Sequence, residues 1–190
     1  MAGADAHPRV RRAFQILLVL TLTLGGVPSQ AARIQPLEYA VKATYLHKFV
    51  PFVEWPASAF ASATSPVEVC VVGDAPFGDL LDRSAATQRM GERAFAVRRM
   101  PLVAGSHRCH VMYVAGSAVQ SVPESLAAVR GTPVLTVTDG AADADSKGIV
   151  NFVLYDGRVR FEMDERAAAE NGIAISSKLL SLAVSVRRRG

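Results

Sequence analysis

The chain has 190 residues, 50% of them hydrophobic, and its 21 basic and 17 acidic side chains give a net charge of +4. This length fits one domain of ordinary size with an ample apolar core. The excess of positive charge is too small to indicate a nucleic-acid-binding protein.

The N-terminal segment has the three parts of a secretory signal peptide. Three arginines within residues 9–12 precede an uncharged apolar run over residues 13–27, and small residues follow up to Ala31. The alternative, a retained membrane anchor, needs about 20 apolar residues, and this run is shorter. We therefore expect residues 1–31 to be a cleaved signal peptide and residues 32–190 to form a soluble, exported domain with 18 basic and 16 acidic side chains.

The first element of this domain is a helix predicted over residues 36–50. A proline suits its first turn, apolar residues recur at intervals of three and four, and a proline follows its end. The helix and the segment after it carry four aromatic side chains: Tyr45, Phe49, Phe52 and Trp55. Two interpretations stay open for this group, namely a partner or dimer face and packing of the helix onto a sheet.

Strands and helices then alternate along the chain. Apolar and β-branched runs predict strands, and segments with a proline near their start predict helices. The order is strand 67–72, helix 76–85, strand 95–99, strand 109–114, helix 119–130 and strand 133–138. This order is typical of an α/β layer with a largely parallel sheet.

A β-hairpin is predicted near the C terminus. The dipeptide Asp156-Gly157 lies between two predicted strands over residues 149–154 and 158–162, and Asp-Gly is a strong signal for a two-residue hairpin turn. The predicted fold class is therefore α/β, a single three-layer domain with a largely parallel sheet plus a C-terminal β-hairpin.

Two short helices are predicted after the hairpin. Asp164 is placed to cap the first helix, and Gly172 is placed to close it. The last helix begins at Ser176 or Ser177 and carries apolar residues as far as position 184. The basic residues at the C terminus are expected to form a solvated, frayed tail rather than a membrane or partner contact.

The loop after the strand over residues 67–72 superficially resembles a phosphate-binding loop. Such a loop needs Lys and then Ser or Thr after its second glycine, but Asp79 and Leu80 stand there and Asp74 adds another negative charge. The dinucleotide motif Gly-x-Gly-x-x-Gly is also absent, so no nucleotide cofactor is expected. Because ligands of open α/β sheets bind at the carboxyl ends of strands, Asp74 stays a candidate ligand-binding residue.

A second candidate ligand site is the start of the last predicted helix. Ser176, Ser177 and Lys178 offer two hydroxyl groups and an ammonium group at a helix N-terminus, which suits a small anion. The alternative is that the serines only cap the helix and that Lys178 is solvated.

No catalytic or metal-binding set is recognised in the sequence. The nucleophile elbow Gly-x-Ser-x-Gly is absent, and the carboxylates of Glu162 and Asp164 are explained by a strand end and a helix N-terminus. Cys70, Cys109 and His110 lack the ligand spacing of a structural zinc site. No metal and no cofactor are therefore expected.

Cys70 and Cys109 are the only cysteines in the chain, and the cysteines of an exported protein are disulfide candidates. Each lies in a predicted apolar strand. If the two strands are close in the sheet, the Cα atoms can fall within the roughly 4.4–6.8 Å that a disulfide needs. We predict this bond, and the alternative is two separately buried thiols.

Segments spread over the domain resemble the YfiR family of exported bacterial proteins. The resemblance lies in YAVKATYLHKFVPFVEWP (39–56), VCVVGDAPFGD (69–79), CHVMYVAG (109–116), PVLTVTD (133–139), IVNFVLYDGRVRFEMD (149–164) and IAISSKLLSLA (173–183). Taken in order, these segments extend the resemblance from about residue 36 to residue 186.

The resemblance implies a periplasmic α/β domain, often dimeric, without known enzymatic activity. The best known member represses a membrane-bound diguanylate cyclase by holding its periplasmic sensor domain inactive, which limits cyclic-di-GMP and biofilm formation. Cys70 and Cys109 match one disulfide position of the family, whereas Asp145 and Phe152 stand in the region of a second pair found in some members. Redox regulation through that second bond is therefore not expected here.

The leading hypothesis is a non-enzymatic, homodimeric periplasmic regulator that binds and represses the sensor domain of an inner-membrane signalling protein, either a diguanylate cyclase or a histidine kinase. The runner-up is a periplasmic small-molecule sensor that uses the Asp74 loop and the helix start at residues 176–178. An exported hydrolase ranks third, because no nucleophile–base motif is present.

Overall fold

One mixed β-sheet with helices on both faces forms the fold. The computed structural model describes residues 31–104 and 108–189, with side chains from residue 37 onward, and the chain forms one compact unit from Gln35 onward. Residues 1–30 of the predicted signal peptide lie outside the described part, so its cleavage stays a prediction. Among the described residues, the helices are too short or too polar for a membrane crossing.

The elements have the following bounds. Five α-helices occur in the described residues: α1 Ala31–Lys48, α2 Leu80–Ala86, α3 Val122–Ala128, α4 Glu165–Glu170 and α5 Ser177–Leu180. The strands in the same residues are β1 Val53–Glu54, β2 Val67–Gly73, β3 Arg89–Met90, β4 Arg93–Met100, β5 Val111–Gly116, β6 Leu135–Asp139, β7 Val150–Tyr155, β8 Arg158–Asp164, β9 Ala174–Ile175 and β10 Ser185–Arg187.

Eight of these strands form the main sheet in the order β10-β8-β7-β6-β5-β2-β4-β3, and β1 pairs with β9 in a separate small sheet. Within the main sheet the pairs from β4 through β2, β5 and β6 to β7 are parallel, as is β10 with β8. The pairs β7–β8 and β3–β4 are antiparallel. The predicted α/β fold with a largely parallel sheet is thus confirmed.

The predicted hairpin joins β7 and β8, and it belongs to the main sheet. Asp156 and Gly157 adopt φ angles of 49° and 69°, as a type I′ turn requires at its two central positions. The turn fixes the register, so that Phe152 lies opposite Phe161. Both rings are buried in the larger core.

The sheet separates two apolar cores. Side chains of β2 alternate between them, with Val67, Val69 and Val71 in the larger core and Cys70 and Val72 in the smaller one. Helices α1, α2, α4 and α5 contribute to the larger core, and α3 packs on the smaller one. Covering both faces explains why the central strands are apolar runs without a polar face.

Local capping determines where the short helices begin. The Ser121 hydroxyl accepts a hydrogen bond from the Glu124 amide, and the Glu124 carboxylate accepts one from the Ser121 amide at 2.8 Å, which is a capping box. The predicted cap at Asp164 is confirmed, because its carboxylate accepts a hydrogen bond from the Ala167 amide at 2.8 Å. The helix predicted over 76–85 begins only at Leu80, since the residues before it form turns.

The C-terminal segment differs from its prediction. The last helix ends at Leu180 rather than reaching position 184, and Ser185–Arg187 forms β10 parallel to β8. The prediction of a frayed tail is therefore wrong for Arg187, because this residue belongs to β10. Its guanidinium group also lies 3.4 Å from the Asp164 carboxylate. The free edge of β8 supplies the backbone groups for this pairing, and the Val184 amide already donates to the Phe161 carbonyl at 2.9 Å.

Candidate functional site

The structure contains the predicted disulfide between Cys70 and Cys109. Cys70 lies in β2 and Cys109 two residues before β5, and these strands are paired neighbours, which brings the two Cα atoms to 5.8 Å. Both side chains are buried in the smaller core. Because the sequence has no other cysteine, the oxidised chain offers no thiol as a nucleophile or metal ligand.

His110, next to the disulfide, has a structural role. The Glu68 amide donates to its Nδ1 at 3.0 Å, so Nε2 carries the proton and donates to the Ala59 carbonyl at 3.2 Å. Burial lowers the pKa of His110, which favours this neutral form. Since both ring nitrogens are engaged by backbone groups, His110 is not arranged as a catalytic base.

One Ser–His contact occurs within hydrogen-bond distance in the described part of the chain. His47 Nε2 lies 2.8 Å from Ser84 Oγ, but His47 is buried and burial lowers its pKa. Among the described residues, no carboxylate contacts His47 to orient it, so the third member of a triad is not in place there. In the same residues, no group of three or more His, Cys, Asp or Glu side chains could hold a metal ion.

The chain reverses its direction of winding between β2 and β5. From β2 it passes through α2 to β4 on one side, and from β5 it passes through α3 to β6 on the other side. Helices α2 and α3 cover opposite faces of the sheet. In open α/β sheets such a switch point leaves a crevice outside the carboxyl ends of the two strands, and ligands bind there.

Two glycines bring the carboxyl ends of β2 and β5 into close contact. Gly73 has a φ of +80°, and a Cβ atom at this position would collide with the backbone of Gly116. The Asp74 amide donates to the Gly116 carbonyl at 3.0 Å, and the Ala75 amide donates to the Gly73 carbonyl at 3.1 Å. The amides of Asp74 and Ala75 are therefore already bonded to backbone carbonyls.

A crevice of about 330 Å³ lies at this switch point. Its polar lining includes the Asp74 and Asp139 carboxylates, the Tyr39 and Tyr113 side chains, Thr138 and Ser146. The remaining lining is apolar and comes from Pro76, Val114, Ala115, Val122 and Ala141. This volume is within the lower range of small-molecule sites.

A buried ion network supports one wall of the crevice. The Lys42 side chain is 2% exposed, and its ammonium group lies 2.5 Å from Asp139 Oδ2 and also pairs with Glu38. The Tyr113 hydroxyl donates to the same Asp139 oxygen at 3.2 Å. The network therefore fixes the Asp139 carboxylate between α1 and β5.

Burial and charge act in opposite directions on Lys42. Burial lowers the pKa of Lys42, but hydrogen bonds to Asp139 and Glu38 outweigh it and raise the pKa above its ordinary value. Burial, and after it the negative charge of Asp139, raise the pKa of Tyr39 and of Tyr113. At neutral pH the lysine is thus an ammonium group and both tyrosines are neutral phenols.

The second candidate site does not join the first. Asp74 lies at the carboxyl end of β2, whereas the Ser176 amide bonds to the Phe52 carbonyl, beyond the C-terminal end of α1. Tyr39, near the middle of α1, lines the crevice, whereas Phe52 lies beyond the C-terminal end of that helix, so the two candidate sites are separate. The Ser176 hydroxyl accepts from the Leu179 amide, and Lys178 lies over the Phe52 ring at 5.8 Å. Ser177 is the first residue of α5, which has only four residues.

The predicted aromatic face is largely turned toward the core. Phe49 is 1% exposed and contacts the Phe161 ring at a centroid distance of 5.1 Å. Tyr45, Phe52 and Trp55 are half-buried and pack against the same core. For Phe49 the structure shows the packing interpretation, and the other three retain partial exposure.

Sequence reasoning missed Lys42, Tyr113 and Asp139. Lys42 and Glu38 are four residues apart on a helix, which is the pattern of an exposed ion pair, and Asp139 contacts Lys42 across 97 positions of sequence. A usable signal was Asp139 itself, since an acidic residue ends the apolar run PVLTVTD. Its position at the same sheet edge as Asp74 would have placed both residues at one crevice.

The comparison with protein families gives one match. The model of a family described as YfiR/HmsC-like matches residues 39–184 of the chain. The matched range covers the sheet from β1 to β8, the crevice and the disulfide, and ends just before β10. No curated protein sequence matches the chain.

Proposed function

Because the chain belongs to the YfiR/HmsC-like family, we propose that it represses an inner-membrane signalling protein by binding the periplasmic sensor domain of that protein. Membership of this family supports a periplasmic regulatory role rather than an enzymatic one. The proposed target is a diguanylate cyclase, so that repression limits cyclic-di-GMP and biofilm formation. The family match over residues 39–184 is the observation that carries this proposal.

The proposed mechanism is a shift of population in the receptor. Binding favours the inactive arrangement of the sensor domains, and release of the regulator lets the active arrangement form. The disulfide then has a structural role, because Cys70 and Cys109 are the only cysteines. Phe152, in the region of the family's second cysteine pair, is fully buried in the core.

The proposed contact surface is the outward side of α1 together with the partly exposed Tyr45, Phe52 and Trp55. On this side Leu37 is 68% exposed and Val41 is 37% exposed, and residues four apart lie on one face of a helix. A shallow groove of about 380 Å³ along the helix is lined by Ala40, Val41, Thr44, Tyr45 and Lys48. Apolar groups with a lysine at the rim suit a protein partner.

Deletion and complementation in the source bacterium test this proposal. We expect deletion to raise cellular cyclic-di-GMP, and we expect the unmodified gene to restore it. Val41→Glu should fail to restore repression, because it places a charge in the proposed contact surface. The matched control is Val119→Glu, which adds the same charge at an exposed valine next to α3.

An unchanged cyclic-di-GMP level after deletion would contradict the cyclase target. A change in histidine-kinase signalling in the same deletion strain would identify the alternative receptor class. The homodimer that the family resemblance implies is a separate proposal, and light scattering on the purified protein measures it directly: a monomeric mass contradicts it.

The alternative function is a periplasmic small-molecule sensor. The crevice at the switch point, lined by Asp74, Tyr113 and Asp139, favours it. The two functions are compatible, because a ligand that binds the regulator can change its affinity for the receptor.

A further inference from the structure

We propose that the crevice between β2 and β5 binds a small organic cation, a compound that carries a primary ammonium group on a short apolar or aromatic body. This inference goes beyond the repressor role and concerns the ligand class of a site in the isolated protein. Its test needs no receptor, so its failure and a failure of the proposed repression can be told apart.

The charge of the lining is the first argument. Asp74 and Asp139 line the crevice, and the lining residues include no lysine, arginine or histidine. Lys42, which lies behind the Asp139 wall, is 2% exposed and is already paired with Asp139 and Glu38. Counting these four groups, the network is net negative, which attracts a cation and disfavours an anion.

The free hydrogen-bonding capacity is the second argument. Asp74 is exposed at the crevice, and its carboxylate has no hydrogen-bond or ion-pair partner among the described residues. Asp139 has less free capacity, because its Oδ2 accepts hydrogen bonds from Lys42 and Tyr113 and its carboxylate also interacts with the Tyr39 hydroxyl. An ammonium group is a donor without an acceptor, so it matches carboxylate oxygens that lack donors.

Spacing and shape define the size of the ligand. β2 and β6 both pair with β5, so the two acidic strand ends are separated by two strand spacings, about 10 Å. Between them lie the Tyr113 side chain and the apolar walls of the crevice. A cavity of about 330 Å³ accommodates a body of roughly one aromatic ring or a short alkyl chain.

The backbone of the loop gives no support to an anionic ligand. The amides of Asp74 and Ala75 donate to Gly116 and Gly73, which leaves them unavailable to a phosphate or carboxylate group. The aromatic rings of Tyr39 and Tyr113 line the same crevice, and the face of such a ring attracts an ammonium group.

Amide NMR titrations of the purified protein test the proposal. Tyramine and putrescine serve as ammonium probes, and 4-hydroxyphenylacetate and succinate serve as anions of matched size. We expect saturable shifts of the amides around Asp74, Tyr113 and Asp139 with at least one ammonium probe at low millimolar concentration. We expect no saturable shifts with either anion.

Two variants at the crevice and one control variant identify the site. Asp74→Asn should weaken the binding of the ammonium probe about fivefold or more, because it removes a charge-assisted hydrogen bond. Glu92→Gln, at an exposed acid without a described side-chain partner, removes the same charge elsewhere and should leave binding unchanged. Ser146→Trp should abolish binding by filling the crevice, and its amide spectrum shows whether the fold is intact.

The proposal is overturned if neither ammonium probe produces saturable shifts, or if the anions bind equally well. It is also overturned if Asp74→Asn binds the probe as tightly as the unmodified protein while Ser146→Trp, correctly folded, still binds. Shifts confined to residues outside the crevice count against it in the same way.

Discussion

Replacing both cysteines with alanine should lower the free energy of unfolding by about 4 kcal/mol. The disulfide joins residues 39 positions apart, and in the chain-entropy model the closure of a loop of about 40 residues corresponds to roughly 13 cal/mol/K, or about 4 kcal/mol at 25 °C. Loss of the buried sulfur atoms of Cys70 and Cys109 adds a smaller packing term.

Urea unfolding followed by circular dichroism measures this loss. With an m-value of about 2 kcal/mol/M, the unfolding midpoint should fall by about 2 M. The matched control is the unmodified protein, unfolded with urea in the presence of a reductant. This control keeps the sulfur atoms but lacks the disulfide bond. We expect it to unfold close to the double alanine variant.

The burial of both sulfur atoms adds a kinetic expectation. Cys70 is 0% exposed and Cys109 is 5% exposed, so a reductant should reach the bond only when the region opens. A midpoint difference below about 0.5 M between the oxidised and reduced protein would refute the entropic argument. Rapid reduction of the native protein would refute the argument from burial.

Three further predictions concern the buried polar groups and the glycine at the carboxyl end of β2. Lys42→Met should destabilise the fold by about 3 kcal/mol, because the Asp139 and Glu38 carboxylates then lack their counter-ion; thermal unfolding measures it, and a loss below 1 kcal/mol contradicts it. The free energy of unfolding should fall as the pH drops below the ordinary histidine pKa of about 6.5. Burial lowers the pKa of His47 and of His110 in the folded protein. In this pH range the unfolded chain therefore binds more protons than the folded chain, which favours unfolding. Each histidine contributes at most about 1.4 kcal/mol per pH unit, and urea titrations between pH 7.5 and pH 5 that show no slope argue against it. Gly73→Ala should cost more than about 1 kcal/mol, because it combines a positive φ with a backbone collision, and a neutral effect in chemical denaturation excludes this explanation.

The central strands could be predicted from sequence because their physics is local. An apolar run such as VEVCVV needs burial on both faces, and Asp156-Gly157 requires the turn geometry that joins β7 and β8. The Cys70–Cys109 bond followed from two such strands once they were neighbours. In these cases the residue type and its spacing carry most of the information.

The missed features depend on contacts between distant parts of the chain. β10 has three residues, of which Ser185 and Arg187 are exposed. It forms because the backbone groups along the outer edge of β8 are available to pair with a parallel strand. Lys42 resembles a solvated helix residue until Asp139 is placed beside it. No local pattern encodes either contact, so the pairing of β10 with β8 and the pairing of Lys42 with Asp139 appear only in the assembled sheet.

The small sheet of β1 and β9 has a consequence for assembly during synthesis. Val53, which follows α1 after a short 3-10 turn, pairs with Ile175. Lys42 pairs with a carboxylate that lies 97 positions later in the chain. During synthesis the N-terminal end of the chain emerges first. Helix α1 therefore cannot complete its packing until nearly the whole chain has been made. The apolar side of α1, including Leu46 and Phe49, stays uncovered during that time. We expect slow folding and a need for holding chaperones.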